Sequence, residues 1–239
     1  MIYVMSDIHG NKNAFDSIMS QINLQENDHL YILGDVIDRG DYGIQLLQEI
    51  MNIPNAHMLL GNHEYMMMDA LNFPYEPDGC TADIPIYTKR IQWFDNGGNV
   101  TYNAWLNLSF EEKSKIKEYL KNLPLEYDID VNGKLFKLVH AAPSEIYDIL
   151  EDEFINESRA YFSVWDRELI LAMADCDDFI TIFGHTPTHN FTESMPMKIY
   201  HNRNIIGIDC GAAYQKDLGN EYCRLSCIRL DDMKEFYSE

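Results

Sequence analysis

No stretch of this 239-residue chain approaches the roughly 20 consecutive apolar residues that cross a bilayer as a helix, so no membrane partner is expected. Basic side chains are scarce: Lys and Arg number 18 against 39 Asp and Glu, a formal charge of −21. So few cations argue against broad contact with nucleic acid, where Lys and Arg displace counterions. The acid excess reads as a solvated surface. There is no Cys-x-x-Cys pair, and the five cysteines, Cys80, Cys176, Cys210, Cys223 and Cys227, are odd in number, which points to reduced thiols in a cytosolic protein. A basic leader with a cleavage site is also missing, so the expected location is cytoplasmic. Neither internal repeats nor low-complexity tracts occur.

What is present is a recurring arrangement in which a short apolar run, of the kind that forms a buried strand, ends in a polar block. Ile2-Tyr3-Val4-Met5 leads to Ser6-Asp7-Ile8-His9-Gly10, and His29-Leu30-Tyr31-Ile32-Leu33 to Gly34-Asp35-Val36-Ile37-Asp38-Arg39-Gly40. Ala56-His57-Met58-Leu59-Leu60 leads to Gly61-Asn62-His63-Glu64. Further on, Leu135 to Val139 ends in His140, and Phe179 to Phe183 in Gly184-His185. In open α/β sheets, ligands collect in the loops that leave strand ends. Asp7, His9, Asp35, Asn62, His140 and His185 form a nitrogen and oxygen donor set without thiolate, which suits Mn, Fe or Zn better than Ca. Two ions sharing a bridging carboxylate would use them all and leave positions open for water and substrate. Such ions would offset the carboxylates locally, so an anionic substrate fits the acidic chain.

These blocks, in this order, resemble the signature of the calcineurin-like metallophosphoesterases. The resemblance is greatest to the phosphoprotein phosphatases, bacterial serine/threonine phosphatases and diadenosine tetraphosphatases included. It implies an α/β fold of two facing mixed β-sheets flanked by helices, and two divalent metal ions, manganese foremost with iron or zinc as alternatives. By resemblance, Asp7, His9 and Asp35 hold one ion, and Asp35, Asn62, His140 and His185 the other. A shared water of lowered pKa attacks phosphorus in line. His63 protonates the leaving oxygen, Asp38 orients that imidazole, and Arg39 grips phosphate oxygens. A second phosphate-binding arginine is expected between the His140 and His185 blocks; Arg167 is the candidate and Arg159 the reserve. Pro187 stands where many phosphodiesterases of this superfamily carry a further His ligand, which favours the phosphatase side. His29, His57, His189 and His201 match no motif position.

With 46% hydrophobic residues, the chain reads as one domain, 1–239, with a cap-like insertion at about 73–107. Helical spacing predicts helices over 11–22, 42–51, 65–71, 86–95, 109–122 and 164–173. Asn132-Gly133 predicts a hairpin between 125–131 and 134–139. Strands are expected over 199–201, 205–209 and 222–230, with Cys223 and Cys227 sharing one face of the last, inside the core. The Met66-Met67-Met68 run reads as helix packing. Aromatics of the insertion, Tyr75, Tyr87, Trp93, Phe94, Tyr102 and Trp105, form either a substrate-choosing wall or a small satellite core. The expected function is hydrolysis of phosphoserine, phosphothreonine or phosphotyrosine esters in proteins, or of a phosphorylated small molecule. Cleavage of symmetrical dinucleoside tetraphosphates, with adenine on the cap aromatics, is the alternative. A non-catalytic phosphate-binding module stands third, since such a binder has no use for His63 as an acid.

Overall fold

The computed structural model describes residues 1–75, 85–147 and 158–239 in full, and the backbone of 148–150. Pro77, Gly79 and Cys80, and the start of the segment from Phe154, lie outside the described residues. Three strand–loop–helix units open the chain: β1 (Ile2–Met5) and α1 (Lys12–Ile22), β2 (His29–Ile32) and α2 (Gly43–Met51), β3 (Ala56–Met58) and α3 (Asn62–Ala70). Next come α4 (Ile86–Asp95), α5 (Asn99–Leu106), α6 (Phe110–Lys121), the hairpin β4 (Glu126–Val131) and β5 (Lys134–Val139), α7 (Ser144–Leu150) and α8 (Arg159–Trp165). The remainder supplies β6 (Ile180–Phe183), β7 (Tyr200–Asn202), β8 (Ile205–Gly207), α9 (Gln215–Leu218), β9 (Ser226–Arg229) and β10 (Lys234–Tyr237).

The strands form two mixed five-stranded sheets, β10-β9-β1-β2-β3 and β4-β5-β6-β8-β7. Helical crossovers make β1, β2 and β3 parallel, and β5 and β6 likewise, while β8 pairs parallel with β6 after a connection that carries a 3₁₀ turn (Thr188–Asn190) and β7. Alternation along each strand divides the core. Tyr3, Met5, Leu30 and Ile32 pack outward with Phe15, Ile18 and Leu47 of the helices. Val4, Leu33 and Leu59 face Leu138, Ile182 and Ile206 between the sheets, and Val139, Phe183 and Ile205 pack on the far side. All the parallel strands therefore release their loops along one rim.

Local chemistry sets several boundaries. The Asn11 side chain accepts the Ala14 amide at 3.1 Å, so α1 starts just past the first polar block. Ser109 and Glu112 cap α6 reciprocally. Asn132 and Gly133, with φ of 55° and 79°, make the expected two-residue turn. The Met run is buried in α3, which begins at Asn62 rather than Tyr65. The helix expected over 164–173 does not form: Asp166 Oδ2 accepts the amides of Leu169 and Ile170, and this local bonding ends α8 and starts a 3₁₀ turn, Leu169–Asp175. Cys223 and Cys227 are both buried but do not share a face. The strand begins only at Ser226, leaving Cys223 between the sheets and Cys227 on the helix side. Cys176, Cys210, Cys223 and Cys227 are free thiols.

Candidate metal centre

At the shared rim each chain segment must leave its strand and turn its side chain inward. Left-handed backbone does this in the loops after β1, β2 and β6, where Asp7, His9, Asp35, Asp38, Arg39 and His185 have φ of 54°, 49°, 54°, 71°, 65° and 60°. Such conformations are costly for residues with side chains and persist where surrounding bonds hold them. The first two loops are knit by Asp7 N–H to Gly34 O (3.2 Å), His9 N–H to Asp35 O (3.0 Å) and Gly10 N–H to Val36 O (2.8 Å). The two sheets are tied where His185 N–H donates to Asp7 Oδ2 at 2.9 Å. His63 N–H donates to Asp35 Oδ1 at 3.0 Å. A Cβ at position 61 would collide with the Asp35 carboxylate, so Gly61 permits this approach.

Asp35 lies at the centre. Its Oδ2 is 3.7 Å from His9 Nε2 and 3.9 Å from His63 Nε2, while Oδ1 is 3.6 Å from His140 Nε2. Asn62 Oδ1 is 3.0 Å from His140 Nε2 and 2.9 Å from His185 Nδ1. Two groups thus converge with Asp35 common to both, His9-Asp35-His63 and Asp35-His140-His185, each with its donor atoms within 4.8 Å of one another. Asp7 Oδ1 is 3.9 Å from His9 Nε2, within reach of the first group.

The imidazoles suit cation binding because their outer nitrogens are committed. His9 Nδ1 lies 3.1 Å from Ile37 O, His140 Nδ1 2.6 Å from Leu33 O, and His185 Nε2 3.3 Å from Trp165 O. A carbonyl can only accept, so each of these nitrogens carries the proton and the other presents a lone pair to the centre. Burial pushes all three imidazoles down, His9 and His185 well below the usual range, which keeps them neutral. Burial, with the neighbouring Asp35 charge adding, raises the Asp7 carboxyl to about 6. Burial likewise raises Asp35 to about 7. Neutral imidazoles beside carboxylates short of countercharge form a donor set that divalent cations complete, and the shared Asp35 suits a pair of them.

His63 stands apart from the other imidazoles through its partner. Its Nδ1 is 2.7 Å from Asp38 Oδ2, while Arg39 Nη2 donates toward its Nε2 at 3.2 Å. Burial and then the Arg39 charge push His63 well down, and burial raises Asp38 to about 7. Arg167 lines the same small cavity, of about 40 Å³, and its Nη1 donates to His185 O at 3.0 Å and Thr186 Oγ1 at 3.2 Å. Arg159, at the start of α8, does not line it. His29 and His57 stack on each other, His201 pairs with Glu235, and His189 is exposed.

Three residues of the site escaped the reading of the sequence. Glu64 accepts the amides of Asp35, Val36 and Ile37; its place in the Gly61–Glu64 block was the available signal. Asp209, which follows β8, lines the cavity with its carboxyl raised well above the usual range by burial and then by Asp7. Its position after an apolar strand is the signal shared with the ligand blocks. Tyr214 lies under the Arg39 guanidinium, 5.4 Å from ring centroid to Cζ. Among the described residues, in contrast, no aromatic ring of the 73–107 segment lines the cavity. Trp93 and Trp105 are buried, Phe73 and Trp105 stack, and Trp93, Phe94 and Tyr102 pack together. Tyr75 donates to Leu123 O. Among the described residues Trp93 and Trp105 are part of the buried cluster on the helix side of the first sheet, with Tyr75 and Tyr102 packed against it, so they form neither a wall nor a separate satellite core, while Tyr87 is exposed.

The calcineurin-like phosphoesterase family model matches residues 1–204. Over 209 residues the chain is 26% identical to serine/threonine-protein phosphatase 2 of Salmonella typhimurium, covering 83% of this chain and 85% of that one. It is 31% identical over 188 residues to a symmetrical bis(5'-nucleosyl)-tetraphosphatase of Haemophilus ducreyi; the match covers 77% of this chain and 58% of that one, so the chain spans little more than half that relative's length. In fold it is similar to a metallophosphoesterase from Sphaerobacter thermophilus, with a TM-score of 0.54 at 18% identity over 99% of this chain and 87% of that one. Among the described residues no helix is long and apolar enough to cross a membrane. The chain belongs to the calcineurin-like phosphoesterase family and is a metal-dependent phosphatase.

Proposed function

We propose that the protein is a cytoplasmic serine/threonine protein phosphatase that uses two manganese ions. Asp7, His9 and Asp35 would hold one ion, and Asp35, Asn62, His140 and His185 the other. When bound, the ions supply Lewis acidity toward the phosphoryl oxygens and an activated water. Arg39 and Arg167 grip the phosphoryl oxygens and turn phosphorus toward the attacking side. His63 gives its Nε2 proton to the departing serine or threonine oxygen, a poor leaving group without it, and Asp38 stabilises the protonated imidazole.

The observation that carries the peptide reading is the shape beside the site. The cavity shares His9, Arg39, Asn96 and Tyr214 with a neighbouring groove of about 960 Å³ that also includes Lys12, Tyr42 and Lys216. The insertion contributes Asp95, Asn96 and Gly97 to it and no aromatic ring among the described residues. An open trough suits an extended chain running past its phosphorylated side chain. One feature favours the tetraphosphatase reading: Tyr42 and Tyr214, 50% and 38% exposed, could stack a nucleobase in the same groove. The test is kcat/KM, on one manganese-loaded preparation, for a phosphothreonine peptide and diadenosine tetraphosphate. Preference for the peptide is expected. Preference for the dinucleotide would transfer the groove to adenine, and hydrolysis of neither would leave a phosphate-binding module.

A further inference from the structure

Besides lining the groove through Asp95, Asn96 and Gly97, the 73–107 segment bonds directly to Asp38 and Arg39. We propose that residues 93–101 act as a clamp on Asp38 and Arg39, with Trp93 the positioning residue that sets the proton on His63. The inference rests on the reading of His63 as leaving-group acid.

The clamp has three bonds. The Trp93 indole N–H donates to Asp38 Oδ2 at 2.8 Å, the Asp38 amide donates to Thr101 Oγ1 at 2.9 Å, and the Arg39 amide donates to Gly97 O at 3.1 Å. Asp38 and Arg39 are consecutive left-handed residues, a conformation disfavoured for both side chains against ordinary backbone. Both of their amides end on the insertion. Gly97 has φ of 94°, and a Cβ there would come within 2.9 Å of Arg39 Cγ, so only glycine lets the turn close this tightly.

The carboxylate contact is chemically directional. Indole N–H can donate and cannot accept, whatever the pH. Among the described residues Asp38 Oδ1 has no hydrogen-bond partner, while the Trp93 N–H and His63 Nδ1 both meet Oδ2. A permanent donor on that oxygen stabilises the carboxylate anion. An anion there requires His63 to carry its proton on Nδ1 and to turn Nε2 to the cavity, the orientation in which a second proton at Nε2 meets a leaving oxygen. Trp93 is fully buried, against Phe94 and Tyr102, so its indole is held in place.

The test compares the wild type with Trp93→Phe, which keeps a ring and loses the donor, and with Thr101→Val, which keeps the shape and loses the amide's acceptor. With manganese bound, Trp93→Phe is expected to lower kcat for a phosphothreonine peptide about 10-fold or more, part of the factor a general acid contributes. It is expected to leave KM, and kcat for 2,4-dinitrophenyl phosphate, within about 2-fold, because that leaving group scarcely needs a proton. In the metal-free protein, the downfield proton resonance of His63 Nδ1–H, identified by its loss in His63→Asn, is expected to move or broaden in Trp93→Phe. Equal losses on both substrates, or no loss on either, would overturn the clamp. Should the wild type hydrolyse neither substrate, the phosphatase reading fails, and an unmoved His63 resonance in both variants would separately overturn the clamp.

Discussion

Glu64 lies beneath the backbone of Asp35, its Oε2 accepting the Asp35 amide at 2.9 Å while Oε1 accepts those of Val36 at 2.9 Å and Ile37 at 3.3 Å. A fully buried carboxylate thus holds the loop whose first side chain is shared by both donor groups. Replacing Glu64 by Gln turns one acceptor into a donor facing a backbone N–H. The expected cost is about 1–3 kcal/mol in stability, from leaving a buried amide unsatisfied, together with fewer manganese ions bound per chain. Chemical denaturation and metal titration measure the two effects. Wild-type stability with wild-type stoichiometry would show that the loop holds itself.

Arg167 and Arg159 make a paired prediction. Arg167 borders the cavity and Arg159 does not. Arg167→Ala is expected to reduce kcat/KM for a phosphothreonine peptide by roughly 10- to 100-fold, the worth of a charge-assisted contact to phosphate. Arg159→Ala should change it by less than about 3-fold. The reverse ranking would give the second phosphate contact to Arg159.

The third prediction concerns pH in the metal-free protein. Burial raises the carboxyls of Asp35, Asp38 and Glu64 to about 7 and that of Asp209 well above its usual range. An acid with a raised folded-state pKa holds more protons folded than unfolded, so its contribution to stability falls as pH rises from near 4 through about 7. The lowered imidazoles of His9, His63, His140 and His185 work oppositely: the folded state holds fewer protons, and stability rises until the unfolded imidazole has deprotonated near 6.5. The two sets oppose each other below 6.5, and above it only the carboxyls remain. Tm of the metal-free protein should therefore fall by several degrees between pH 6.5 and 8, at roughly 1 kcal/mol per carboxyl. Manganese should raise Tm more at pH 8 than at 6.5. A metal-free Tm that climbs across this window would refute the assigned shifts.

Several features were legible in the sequence because they are local. A donor residue following an apolar strand needs only the chain's own alternation to reach the sheet rim, so Asp7, His9, Asp35, Asn62, His140 and His185 could be named without coordinates. Asn132-Gly133 and the Ser109 cap are equally short-range, since turn and cap chemistry act over a few residues. Asp166 was a local signal as well, yet its backbone bonding cut short a helix that apolar spacing predicted.

Tertiary structure decided what depends on distant residues meeting. Glu64 and Asp35 are 29 positions apart, and Trp93 and Asp38 are 55. Nothing in the spacing of residues 73–107 distinguishes a ring that stacks on substrate from one buried against Asp38. Asp209 joined the site because β8 lies beside β6 and brings its end to the rim that carries His185. The donor types were written in the sequence, because side-chain chemistry is intrinsic. Their angles, tautomers and shifted protonation came only with the fold, because hydrogen-bond direction and burial are properties of neighbours.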